Sequence, residues 1–189
     1  MGSLLSELRT LAYANRLANH RLHEALLLML PGEFSAARSG FFPSLRATLN
    51  HILIVDWFYI AALHGETDMR AAFVSEIPFT SRTDLVAAQR VADMRLVHWC
   101  EAANPAALES IIAMDRGDHF QRDHARHVLM HLFTHQIHHR GQAHAMLWGT
   151  SVKPPQLDEF VMPSDAVFRV QDLADLGWTE ATLFGKESP

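Results

Sequence analysis

His135 and His139 stand four residues apart in a stretch whose apolar spacing is helical. Positions four apart on an α-helix differ by about 40° in azimuth and one turn in height, so both imidazoles can aim at one point as a two-ligand metal clip. His131 and His127 continue the same four-residue ladder. The stripe turns by about 40° per step, so the four rings cannot all face one ion, and two or three at most converge. His51, at the edge of a second apolar stripe, is the candidate third donor from a facing helix. The spacing by itself leaves a solvated histidine face open, because histidine is common there. The chain holds 13 histidines, six of them between His127 and His144, which is more than the core of a protein this size needs.

Three neutral imidazoles leave a coordination position for water or substrate, the pattern of a catalytic zinc-type site, and imidazole accepts zinc, nickel or iron alike. Gln136 follows His135 where a metalloprotease of the His-Glu-x-x-His type needs its glutamate base, so that chemistry is excluded. Asp56 is a candidate hydrogen-bond partner for a ligating imidazole, with a solvent-facing or capping role as the alternative. Cys100 reads as a small core residue, since nothing near it would depress its pKa. Trp57 and Trp148 read as core. His20, His23, His64, His98, His119 and His124 read as solvated or structurally bonded.

The elements that must position these groups follow from the periodicity. Leu4, Leu8, Leu11, Ala18, Leu22, Leu26 and Met29 mark a first helix ended by Pro31-Gly32. Leu45, Leu49, Ile52, Tyr59 and Leu63 mark a second, from about Pro43 to Gly65. Ser81 and Asp84 resemble a capping box before a third helix carrying Leu85, Ala88, Ala92, Leu96 and Trp99, closed near Ala103 and Pro105. The stretch between Leu108 and Asp118 predicts a short extended strand and turn. A fourth long helix is expected from about Arg122 to Gly149, and then a short helix near Leu157 to Phe168 with a loosely packed C-terminus. Four long amphipathic helices predict an all-α four-helix bundle.

Composition narrows the function. The 189 residues suit one domain, with a tail from about residue 156, and 49% hydrophobic residues suffice for a core. Sixteen Lys and Arg against 21 Asp and Glu give a net charge of -5, so neither nucleic acid nor a membrane surface is an expected partner. One cysteine permits no intrachain disulfide, which suits a reducing compartment, and the cytoplasm is expected. Neither a secretory signal nor an apolar run of membrane-spanning length is evident. Residues Met1 to Ser6 match the loose myristoylation pattern, but lipidation is not expected.

The segment Leu129-Met-His-Leu-Phe-Thr-His-Gln-Ile-His-His-Arg-Gly-Gln142 resembles the signature of the DinB/YfiT-like family near its fourth helix. The block Leu45-Arg-Ala-Thr-Leu-Asn-His-Ile-Leu-Ile-Val-Asp-Trp57, followed by Gly65, resembles that family's second helix, and Pro154-Pro155-Gln-Leu-Asp158 agrees as well. The resemblance spans roughly residues 4 to 160. It implies an up-down-down-up four-helix bundle, a homodimer, and one divalent metal ion held by His51, His135 and His139, with His131 and His138 in the pocket around it. It leaves the reaction open. Relatives that transfer low-molecular-weight thiols suggest a metal-dependent S-transferase or hydrolase acting on a small electrophile. The alternative is a non-catalytic stress protein in which the metal is structural.

Overall fold

The computed structural model describes residues 3–185; Met1 and Gly2, where the myristoylation pattern begins, and the last four residues of the tail lie outside it. Four long helices dominate: α1 (Leu4–Leu27), α2 (Leu45–Leu63), α3 (Arg82–Ala102) and α5 (Ala125–Leu147), with a short α4 (Pro105–Glu109) before the last. Their starts are chemically marked. Ser3, Ser44 and Ser81 each accept a hydrogen bond from the backbone N–H three residues on, which satisfies an otherwise orphaned donor. Ser44 rather than Pro43 is therefore the cap of α2. Pro105, expected to close the third helix, instead opens α4 behind the Asn104 cap, where its missing N–H costs nothing.

The four helices bury one continuous apolar core that includes Leu17, Leu22, Leu45, Leu53, Phe58, Leu85, Leu96, Leu129 and Leu132. Helix α1 packs on α3 and α5, and α2 packs on the same two. Contacts between α1 and α3 run in opposite senses, with Tyr13 bonded to Glu101, Asn19 to Asp93 and Glu24 to Arg90. Those between α2 and α5 do likewise, with Thr48 beside Met146, His51 beside His135 and Tyr59 beside His131. Helices α2 and α3 run in the same sense, Asp56 meeting Gln89 and the Leu63 carbonyl meeting the Trp99 indole.

The extended segment is real, and larger than expected. Strands β1 (Ile111–Asp115) and β2 (Phe120–His124) form an antiparallel hairpin with Ile111 opposite His124 and Asp115 opposite Phe120. Gly117 sits in its turn at φ 99°, a conformation that only glycine adopts without strain. Ile112 and Met114 face the core, whereas Phe120, Gln121 and Arg122 of β2 are exposed. Residues 122–124, expected in the last long helix, thus belong to β2, and α5 begins at Ala125 with no side-chain cap at His124.

The tail also departs from expectation. Residues 157–162 are not helical; a 3-10 turn spans Pro163–Phe168, followed by α6 (Val170–Leu176) and α7 (Glu180–Phe184). It is not loosely packed, since Arg169 is fully buried and Leu173 and Leu183 join the core. Trp57 packs against the core as expected, but Trp148 is exposed. Among the described residues no helix is long and apolar enough to cross a membrane.

Candidate metal centre

His51 lies two turns into α2, and His135 and His139 occupy successive turns of α5, so the antiparallel packing of these helices decides whether the three rings meet. They do. One ring nitrogen from each of the three lies within 4.8 Å of the other two. Ring centroids are 5.0 Å apart for His51 and His135, 4.6 Å for His51 and His139, and 4.4 Å for His135 and His139. His51 and His135 turn their Nε2 atoms toward each other at 3.0 Å. Two unprotonated imidazole nitrogens repel at that distance unless a proton or a cation stands between them.

The surroundings favour the neutral, ligand-competent form. Burial pushes His51 down to about 4, with His139 adding to the shift. His135 falls to about 3 through burial and then the neighbouring His139, His51, His131 and His138. His139 is also lowered by burial, against the opposing effect of its hydrogen bond to Gln142. His139 Nδ1 lies 2.8 Å from Gln142 Oε1. An amide oxygen only accepts, so Nδ1 carries the proton and Nε2 keeps its lone pair for an ion. Gln142 Nε2 in turn donates to His138 Nε2 at 3.1 Å. His135 Nδ1 is buried without a partner, so the outer support of the rings is uneven.

Three nitrogen donors at this separation can hold a divalent ion, and among the described residues no fourth His, Cys, Asp or Glu joins the group. Phe42 covers one side, 4.5 Å from the His51 ring and 5.5 Å from His139, with Phe41 6.3 Å from His139. Neither phenylalanine stood out in the sequence, where the only signal was their place just before Pro43. One turn before His135, His131 lies 5.0 Å from Tyr59 with the rings tilted by 59°, and 6.3 Å from His135, outside the three-ring cluster, as the rotation of the ladder requires. Beyond it lies a cavity of about 370 Å3 bordered by Tyr59, Arg116, His127 and His131. Arg116 donates to the Tyr59 hydroxyl at 2.9 Å, which leaves that hydroxyl's own proton to point elsewhere.

Asp56 reaches neither an imidazole nor solvent. It is 1% exposed, and its Oδ2 accepts from Gln89 at 2.6 Å and from Gln136. These groups belong to a buried polar layer that the sequence did not announce. Asp93 lies 2.9 Å from Asn19 and 4.0 Å from Arg16, and Arg140 donates to Asn15 and Asn19. Its members sit at core positions of four different helices, so only the packed helices bring them together. Cys100 is buried and inert, its thiol pushed up to about 12 by burial and Glu101.

A search of curated proteins finds no match to the chain. The model of the DinB family matches residues 4–168, which takes in all four long helices and the three converging histidines. With most of its length matched in this way, the chain belongs to the DinB family.

Proposed function

We propose that this protein is a metal-dependent enzyme that holds one divalent ion through His51, His135 and His139 and directs a low-molecular-weight thiol, or water, at a small electrophilic substrate. The observation that carries the reading is the convergence of three neutral ring nitrogens with no fourth protein donor among the described residues. An ion bound there supplies Lewis acidity, sufficient to make water or a thiol nucleophilic near neutral pH. Zinc, nickel and iron all suit such a donor set.

The chain's own residues do the rest. Gln142 fixes the His139 ring and its tautomer. Phe42 packs over His51 and His139 and keeps water from that side of the cluster. Substrate enters from the cavity that His131 and Tyr59 border, where the Tyr59 hydroxyl, held by Arg116, donates to a developing negative charge. The antiparallel pairings of α1 with α3 and of α2 with α5, and the parallel course of α2 and α3, support an up-down-down-up four-helix bundle as the scaffold. Homodimer assembly and a cytoplasmic location rest on the resemblance and on cysteine content.

One observation favours a second reading, a structural ion that staples α2 to α5. No carboxylate touches the three rings among the described residues, so no evident general base stands beside them.

The test is elemental analysis of protein purified without a metal-binding tag, beside a variant with all three histidines changed to alanine. About one ion per chain, lost in the variant, supports the site. No metal in either protein after incubation with zinc, nickel and iron(II) overturns it. With metal established, thiol-dependent turnover across a panel of electrophiles separates enzyme from staple, since a staple raises the melting temperature and does nothing else.

A further inference from the structure

Helix α5 has two working faces. At about 100° per residue, His135, His139 and Gln142 fall on one side, and Phe133, Ile137, Arg140, Gly141 and His144 on the other. On that second side α1, α5 and the extended residues 156–161 enclose a cavity of about 480 Å3, within the range of small-molecule sites. Leu11, Ala18, Phe133, Ile137 and Phe160 make its walls apolar.

Its floor is polar, and of one kind. Arg140 lines the cavity with 7% of its surface exposed. Only its Nη1 is engaged, by the side-chain oxygens of Asn15 at 2.6 Å and Asn19 at 2.9 Å, and among the described residues no carboxylate pairs with it. A buried guanidinium without a direct counter-ion is costly, and charged groups in protein interiors are ordinarily paired. Asp93 Oδ1 accepts from Asn19 and Gln89 while its Oδ2 lies 4.0 Å from Arg16, so Asp93 acts on Arg140 only as a charge at a distance, and Asp56 is committed to Gln89 and Gln136. Burial also pushes the Asp56 carboxyl well above its ordinary range, which weakens it as a distant counter-charge. Asn15 borders the same cavity, and its Nδ2 is buried with no acceptor. Asp158, on the rim, is exposed and accepts from Gln156. The deep polar groups that lack partners are thus donors beneath apolar walls, which complements a carboxylate carried on a hydrocarbon body.

We propose that this cavity binds a small monocarboxylate, its two oxygens on Arg140 and Asn15 and its apolar part against Phe133, Ile137 and Phe160. The site stands apart from the three histidines and does not depend on their binding metal.

Gly141 supplies a clean test. A Cβ built there meets nothing within 4 Å, so Gly141→Leu projects into the cavity from the middle of a helix that prefers leucine to glycine. Calorimetric titration of the full chain with benzoate, phenylacetate and octanoate, each beside its uncharged amide, reads the affinity. At least one carboxylate is expected to bind saturably, with its amide weaker by about tenfold or more. Binding should fall by about tenfold or more in Gly141→Leu and in Arg140→Gln, and hold within about twofold when His51, His135 and His139 are all alanine. Four results would each overturn the proposal: no saturable carboxylate binding at millimolar concentration, amides equal to acids, Gly141→Leu binding like the native chain, or binding lost with the three histidines. Gly141→Leu keeps the test decisive if Arg140→Gln fails to fold.

Discussion

Ionisable side chains buried between the long helices tie the stability of this protein to pH in opposing ways. His23, 1% exposed near the C-terminal end of α1, is driven down to about 3 by burial and by the charges of Arg16 and Arg90. A histidine that stays neutral when folded but protonates near 6.5 when unfolded contributes stability above pH 6.5 that drains away as pH falls toward 3. Between pH 7 and 5 the native chain should therefore lose about 2 kcal/mol relative to His23→Gln. Parallel urea titrations that yield the same pH slope for both proteins would refute this. Asp56 has the reverse sign, because a carboxyl whose folded pKa is raised favours the fold at low pH and loses that contribution as pH rises through the folded value. Its Oδ1 and the Gln136 Oε1 are both buried acceptors without donors, a mismatch that a proton on Asp56 relieves. Asp56→Asn supplies that donor permanently, so it should stay within about 1 kcal/mol of the native chain at neutral pH and gain on it as pH rises. Asp56→Ala removes one acceptor from each of two buried amides, Gln89 and Gln136, and should cost about 2 to 4 kcal/mol. Chemical denaturation of the two variants side by side decides the point, and equal losses would show that the hydrogen bonds of Asp56 are immaterial. None of this was readable from the sequence. Asp93 drew no notice and Asp56 suggested an imidazole or solvent as its partner, because the glutamines that Asp56 meets come from other helices, whereas His135 and His139 carry their geometry within one helix.

At the scale of elements, the sequence was most informative where local chemistry and packing agree. The cap at Ser81 and the stop at Gly65, whose φ is 72°, mark helix ends by means that act within a few residues. It failed at the start of α5, where His124 offers no cap and the preceding Phe-Gln-Arg-Asp-His run has no alternating apolar face. Those residues become a strand only because β1 lies alongside to pair with them. Helix α2 shows how an end supports a site. His51 lies two turns past Ser44, whose hydroxyl accepts from Ala47 and whose carbonyl accepts from Thr48. Ser44→Ala should lower stability by about 1 kcal/mol through fraying of that first turn. If His51 is a ligand, the same variant should bind zinc more weakly than the native chain, yet more tightly than His51→Ala, in a competitive chelator titration. Zinc affinity falling as far as in His51→Ala would mean that Ser44 does more than cap the helix.

Across the whole molecule, two arginines organise the residues after Pro155, Arg21 by tying them to α1 and Arg169 by tying them to one another. Arg21 on α1 reaches Asp172 and Glu159 with its guanidinium and also donates to the carbonyls of Gln156 and Phe168. Arg169 donates to the carbonyls of Glu159 and Met162 and forks onto Glu180 at 2.9 and 2.7 Å, with the Phe184 ring 5.2 Å from its centre. Arg169 and its carboxylate partner Glu180 are not helical neighbours in the sequence, and helices as short as α6 and α7 carry too few turns for a periodic signal, which is why the tail looked loose. The structure makes Arg169 its central tie. Arg169→Ala leaves two carbonyls and a carboxylate without their donor and should cost about 2 to 3 kcal/mol. Because those bonds lie within the tail, the loss should be local, opening residues 156–185 while the long helices hold. Limited proteolysis with thermolysin, mapped by mass spectrometry, should then cut the variant first inside 156–185, in a range where the native chain resists and far-UV circular dichroism is nearly unchanged. First cuts spread through α1, α2, α3 and α5 would mean instead that Arg169 stabilises the molecule as one cooperative unit, and native-like resistance would mean that Arg21 alone suffices to hold the tail.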